Sequence, residues 1–250
     1  MNEMEAFLRR SEEKDAKQGS AAWLYERVGF ITASRFGAVI ARTKAGKPTA
    51  ERDKYLWDLV VERLTGQPQD HFTSSAMQWG TEQEANSRMA YEAATGRMVE
   101  EVGFIKHPTL ARVGGSPDGL IGDDGGWESK SPWNSAVHLL TWLQGMPEDH
   151  IPQVQGLMWI TGRDWWDFQS FDPRLPERLQ RYIQRVPRDD KFIAAMEAEI
   201  ITLEAEVSAT VAKIIERCGG ALTPPDASRP PPAGSAPAAT DEEIEERMEP

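Results

Sequence analysis

Residues 114–133 read GGSPDGLIGDDGGWESKSPW, and the alternation inside this stretch decides the fold. Ser116 to Ile121 and Trp127 to Ser131 read as two strands, joined by the turn-forming run Gly122, Asp123, Asp124, Gly125 and Gly126. In such a hairpin Asp118 faces Glu128. Successive strand side chains point to opposite faces, so Glu128 and Lys130 share one face while Ser129 points away. Two carboxylates and one ammonium therefore converge.

Hard divalent cations such as Mg²⁺ take oxygen ligands and keep several waters, so one or two carboxylates plus a backbone carbonyl form a sufficient protein shell. A lysine beside them can orient or deprotonate an attacking water, while the cation offsets charge developing on a phosphodiester. The pattern implies metal-assisted hydrolysis. The same spacing also describes a solvated strand with an ion pair. Against that bland reading stand the apolar Pro117, Leu120, Ile121 and Trp127 around the charges, and Gly114 and Gly115, which admit close backbone approach.

The chain has 250 residues and 40% hydrophobic content, enough for one main globular domain. Cys218 is the only cysteine, which excludes an intrachain disulfide and a multi-cysteine zinc site and suits a reducing, cytoplasmic setting. The charged N-terminus and the lack of any apolar run near the roughly 20 residues that span a bilayer imply neither secretion nor membrane insertion. The net charge of −12 argues against general coating of nucleic acid. The last thirty residues carry seven acids against Arg229 and Arg247, which accounts for −5 of it. Any basic DNA-facing surface must then be confined to a channel.

Working outward, residues 4–18 have helical composition, and the segment after them reads as a connection into a helix starting near Thr32. Thr32 and Ser34 are candidate caps. With Arg27 just upstream, they form either an ordinary helix start or a pocket for a phosphate. RTKAGKPT (42–49) is a basic loop without the glycine spacing of a nucleotide-phosphate loop; Lys44 and Lys47 could touch a DNA backbone. Apolar spacing predicts a helix over 51–64 ended by Gly66, and another over 77–95 ended by Gly96, which carries Glu82 and Glu84. Residues 97–106 read as a strand, 134–142 and 150–161 as helices, 164–172 and 181–186 as strands, and 188–217 as a long helix. Gln153 and Gln155 lie in an otherwise apolar helix, where a buried glutamine needs a partner, so one of them facing a polar site is a candidate. Residues 1–218 are expected to form one domain. Residues 219–250, rich in Pro and Ala and ending in DEEIEERMEP, cannot support a core and read as a disordered acidic tail.

Four blocks in order, RVGFITASRFGAVI (27–40), WGTEQEANSRMAYE (79–92), GSPDGLIGDDGGWESKSP (115–132) and PQVQGLMWITGRDWWDFQSFDPR (152–174), resemble the lambda exonuclease or YqaJ-type viral recombinase nucleases. These are a branch of the PD-(D/E)xK superfamily, and the likeness spans roughly residues 20–200. The resemblance implies an α/β (α+β) restriction-endonuclease-like core, a central mixed β-sheet flanked by helices. It implies a Mg²⁺-dependent deoxyribonuclease, with Mn²⁺ able to substitute, that digests one strand of duplex DNA from a 5′ end. A 3′ single strand would remain for a single-strand annealing protein, and the enzyme would work as a ring-shaped homotrimer. By the same resemblance Asp118, Glu128 and the Ser129 carbonyl would hold the metal, and Lys130 would position the attacking water. Glu84 and Gln155 would support the site, and Arg27, Thr32 and Ser34 would hold the 5′ phosphate.

Two rival readings stay open: an endonuclease on the same fold, and a noncatalytic DNA-end-binding scaffold. A zinc hydrolase is disfavoured, since His71, His107, His138 and His150 form no HExxH pair and Cys218 stands alone. No GxSxG elbow marks an acyl-transfer serine.

Overall fold

The computed structural model describes residues 18–69 and 74–220. The expected helix at 4–18, apart from Gln18, and the tail from 221 onward lie outside the described residues. The chain runs α1 (Ala21–Glu26), β1 (Ile31–Thr32), α2 (Phe36–Ile40), α3 (Ala50–Thr65), α4 (Ser75–Thr95), β2 (Ile105–Lys106), β3 (Val113–Gly115), β4 (Gly119–Ile121), β5 (Gly125–Lys130), α5 (Ser135–Gln144), α6 (Ile151–Thr161), β6 (Trp165–Phe171), β7 (Arg181–Pro187) and α7 (Asp190–Arg217). The mixed sheet is present in two pieces. A three-stranded sheet has order β1-β3-β2, and a four-stranded sheet has order β4-β5-β6-β7 with only the β5–β6 pair parallel.

The helices begin and end where local chemistry dictates. Thr49 and Ser74 accept the backbone N–H groups of Arg52 and Met77, capping α3 and α4. Each helix stops at a glycine in the left-handed region, Gly66 and Gly96, both at φ 68°. Asp189 accepts from the N–H groups of Lys191 and Phe192 and starts α7. The apolar stripe of α7 is core of this domain: Ile193, Met196, Ile200, Leu203 and Val207 are buried against α2, α3 and α6. Each contributes roughly 1.5–3 kcal/mol by leaving water. Arg52–Glu206 and Arg63–Glu204 ion pairs, at 2.9 and 2.5 Å, fix the register of α3 on α7.

Three expectations are corrected. The hairpin turn is shorter than predicted: Gly122 to Asp124 make the turn, and Gly125 and Gly126 belong to β5. They do so because the indoles of Trp165 and Trp166 lie flat on these two residues; a Cβ on Gly126 would sit 2.3 Å from the Trp166 ring. The region 97–106 is a strand only at Ile105 and Lys106, with one bridge from Glu100 to Leu120. There the Glu92 carboxylate takes the Val99 N–H at 2.9 Å, and Val99 turns into a cluster with Tyr91, Ile121 and Trp127, so the backbone leaves the ladder. The segment before Thr32 is not a plain connection, because Ser20 caps the helix α1.

Strand β5 therefore lies between two helices. Trp127 and Ser129 face α4, where the Tyr91 ring and the Ser87 hydroxyl meet them, while Glu128 faces α6. Replacing Gly126 with alanine should destabilise the fold by about 2–3 kcal/mol, since the fully buried Trp166 has no room to retreat. Urea denaturation measures this, and a change below roughly 0.5 kcal/mol would contradict the packing described.

Candidate active site

The first strand of the hairpin starts at Gly119, opposite Trp127, rather than at Ser116, and Asp118 lies in the bend just before it, beside the end of β5. The Ser129 N–H donates to Asp118 Oδ2 at 2.8 Å and holds that carboxylate against the strand. Glu128 is fully buried. Its Oε1 accepts from Lys130 Nζ at 2.5 Å and from Gln153 Nε2 at 2.7 Å, whereas Oε2 is buried without a partner among the described residues. Lys130 reaches the mouth of the site with about a third of its side chain exposed.

This crowding moves the ionisation equilibria. Burial first, and the Asp118 charge second, push Glu128 up to about 7. Burial also raises Asp118, against the pull of Lys130 and the Ser129 N–H. Burial opposes the charge on Lys130, but Glu128 and Asp118 outweigh it and hold the ammonium above the ordinary lysine value. Both carboxylates are thus costly to keep charged, and one ammonium serves them both.

Two recesses meet at Asp118 and Lys130. One, a cavity of about 530 Å³, is bounded by Glu84 of α4, by Ser129 and Ser170, and by His150. The other, about 240 Å³, is bounded by Arg27, Thr32, Ser34 and Ser116. In the second, the Arg27 guanidinium lies 4.0 Å over the Trp23 ring and donates at 3.4 Å to Ser116 Oγ and to Ser34 Oγ. The Trp23 indole N–H also donates to Ser116 Oγ, at 2.8 Å. Thr32 stands at the cap position of a short 3-10 turn over Ala33–Arg35, but its side chain makes no cap bond; its hydroxyl lies 3.4 Å from that of Ser34. Burial lowers the pKa of Arg27. A guanidinium held, among the described residues, by hydroxyls and an indole suits an incoming anion.

Asp118, Glu128, Ser129, Lys130, Glu84, Arg27, Thr32 and Ser34 are all brought together here; Gln155 is not. Its Nε2 donates to the Pro187 carbonyl at 2.9 Å and its Oε1 accepts from the Asp189 N–H at 2.9 Å, clasping β7 to α7. Residues two apart on a helix face opposite ways, so only one of the pair can reach the site, and Gln153 takes that position. Sequence reasoning also missed Trp23 and Ser116. The signals were present: Trp23 stands four residues before Arg27 on a helical turn, and Ser116 two residues before Asp118. Lys44 and Lys47 bound neither recess. His138 is structural, held at 2.7 Å by both Ser170 Oγ and the Leu179 carbonyl. His150 borders the cleft, stacked on Phe168; burial and then Lys130 bring it down to about 4.

Among the described residues no group of three or more His, Cys, Asp and Glu side chains is arranged to hold a metal. The oxygen set at the centre is Asp118, Glu128 and neighbouring backbone. Among the described residues no helix is long and apolar enough to cross a membrane.

A mixed sheet that carries an acid, acid, lysine cluster beside an arginine recess places the fold in the phage-type exonuclease class. Residues 22–164 match the YqaJ-like viral recombinase domain, and the chain belongs to that family. It is 41% identical to the alkaline exonuclease LHK-Exo of Laribacter hongkongensis, covering 80% of this chain and 98% of that one with a TM-score of 0.73. The complex of LHK-Exo with dAMP superposes with a TM-score of 0.74. A phage-related exonuclease from Haemophilus somnus 129PT shares the fold at 14% identity, with a TM-score of 0.60 over 74% of this chain and 96% of that one. ExoD of Escherichia coli K12 is 25% identical over 72 residues, 29% of this chain and 82% of that protein.

The two glutamines make separable predictions. Gln153→Ala should cut nuclease activity by roughly 10–100-fold with little loss of stability, because it frees the buried Glu128 carboxylate. Gln155→Ala should lower unfolding free energy by about 1–3 kcal/mol, leaving two backbone groups unpaired, with near-normal activity per folded molecule. Thermal melts and nucleotide-release assays on both variants check this, and the reverse pattern would restore Gln155 to the site.

Proposed function

We propose that this protein is a Mg²⁺-dependent exonuclease that digests one strand of duplex DNA from its 5′ end and leaves a 3′ single strand for an annealing partner. The observation that carries the reading is the junction of the two recesses. Asp118 and Lys130 bound both the cleft beside Glu84 and the Arg27 recess, which Glu128 also bounds, so one nucleotide could present its 5′ phosphate to Arg27 and its next phosphodiester to the carboxylates. The dAMP bound to LHK-Exo is a nucleotide of the kind such cleavage releases.

The residues present fit a hard divalent cation. Glu128 Oε2 is a buried carboxylate oxygen without a partner among the described residues, and the buried Glu128 and half-buried Asp118 share one lysine, a charge imbalance that a dication offsets. Asp118 and Glu128 would hold it with the Ser129 carbonyl, waters completing the shell. When bound, the cation offsets charge on the phosphodiester and makes a water more acidic. The chain's own groups do the rest. Lys130, held charged, orients the attacking water; Gln153 fixes Glu128; Glu84 extends the acidic wall; and Arg27, with Ser34, Thr32 and Ser116, seats the terminal phosphate.

Assembly as a ring-shaped trimer fits one further feature. On α5, Val137 (46% exposed), Leu140 (50%) and Leu143 (83%) face solvent beside Trp133 (56%), an apolar patch of the kind that subunits cover.

Asp118→Ala and Lys130→Ala should each remove nucleotide release by more than the roughly 100-fold typical of outer-shell losses, with folding and binding to DNA ends retained. A covalently closed circular duplex should resist the wild-type protein and become a substrate once linearised. Full activity in either variant, or nicking of the circle, would overturn this reading.

A further inference from the structure

Behind the carboxylates, on the opposite face of β5, lies a buried polar cluster that the proposed chemistry does not use. Ser87 Oγ of α4 sits 2.6 Å from Ser129 Oγ. From β6, Gln169 Nε2 donates to both the Ser87 carbonyl, at 2.8 Å, and Ser87 Oγ, at 2.7 Å. Ser87 and Gln169 are both fully buried, and Gln169 Oε1 has no partner. Gln169 is the register partner of Ser129, so the three side chains form one contiguous group beneath the strand.

Burying an amide and a hydroxyl, with a second hydroxyl half-buried, at a helix–sheet contact is costly where an apolar trio would pack as well. What distinguishes this place is the residue it grips. Ser129 holds Asp118 through its N–H, and its peptides link Glu128 to Lys130. Its hydroxyl is the point at which α4 grips that backbone. Ser87 also stands one helical turn after Glu84, so the same contact sets how far α4 brings that carboxylate over the site.

We propose that Ser87 and Gln169 are positioning residues: through the Ser129 hydroxyl they lock the peptide that presents Asp118 and Glu128, and so set the affinity of the site for a divalent cation. This rests on the reading of the cleft given above. Cation affinity in such sites depends on the groups that orient the ligands as well as on the ligands themselves.

The test is calorimetric titration of the full-length protein with Mn²⁺ in the absence of DNA, alongside thermal melts. Ser87→Ala and Ser129→Ala should each raise the Mn²⁺ dissociation constant by roughly 10–100-fold. The double variant should be no weaker than the weaker single, because both remove the same link. If an alanine variant fails to fold, Ser87→Cys, similar in size but a weak hydrogen-bonding partner, should show the same weakening. Folded variants that bind Mn²⁺ within about 2-fold of wild type, even with lowered melting temperatures, would reduce the cluster to a packing role and overturn the proposal. Asp118→Ala separates the two levels. Wild-type binding that is lost in Asp118→Ala upholds the cleft reading whatever the serines do, whereas no Mn²⁺ binding by the wild type overturns that reading and this inference with it.

Discussion

The structure turns on the burial of Glu128. A carboxylate sealed between a sheet and a helix, with one oxygen shared by Lys130 and Gln153 and the other unpaired, is unfavourable unless something offsets it. The surrounding elements are arranged so that it can persist. Parallel pairing with β6 and antiparallel pairing with β4 fix β5 from both edges, and α4 and α6 close its two faces. The large indoles of Trp165 and Trp166 fill the space left by Gly125 and Gly126, so the strand cannot shift to let the acid reach water.

The same constraint explains how a chain of net charge −12 can be built to act on a polyanion. Many arginines are occupied by internal partners: Arg42 with Glu199, Arg52 with Glu206, Arg63 with Glu204, Arg88 with Glu101, Arg185 with Asp167 and Arg188 with Asp190. They hold the domain together rather than forming a basic surface. Arg27 is treated differently: hydroxyls and an indole hold it, and it opens onto the recess beside Asp118. Arg27 thereby places one positive charge where the proposed phosphate would sit.

Much of this was legible in the sequence because the strongest signals are local. The apolar periods read over 51–64 and 188–217, the glycine stops, and the presence of a hairpin between 116 and 131 each depend on residues near in the chain, and the structure keeps them with shifted ends. What failed depended on distant partners. Residues 97–106 carry strand-like composition, but the Glu92 side chain takes a backbone donor from the ladder. Gln153 and Gln155 look equivalent in sequence; their roles divide only once α6 is docked with one face toward Glu128 and the other toward β7 and α7. Ser87 and Gln169 carried no signal at all, since nothing local says that a serine in a polar helix and a glutamine in an aromatic strand meet behind Ser129.

The central claim is that the recess at Arg27 accepts a 5′ terminal phosphate while the carboxylates cut the next bond. It is tested most directly by timed digestion of linear duplexes labelled separately at the 5′ and 3′ ends, each with and without a 5′ phosphate. The account predicts that the 5′ label leaves first as a mononucleotide, faster when the end is phosphorylated, while the 3′ label stays in a long single strand. Early release of the 3′ label, or of internal fragments from either substrate, would contradict it.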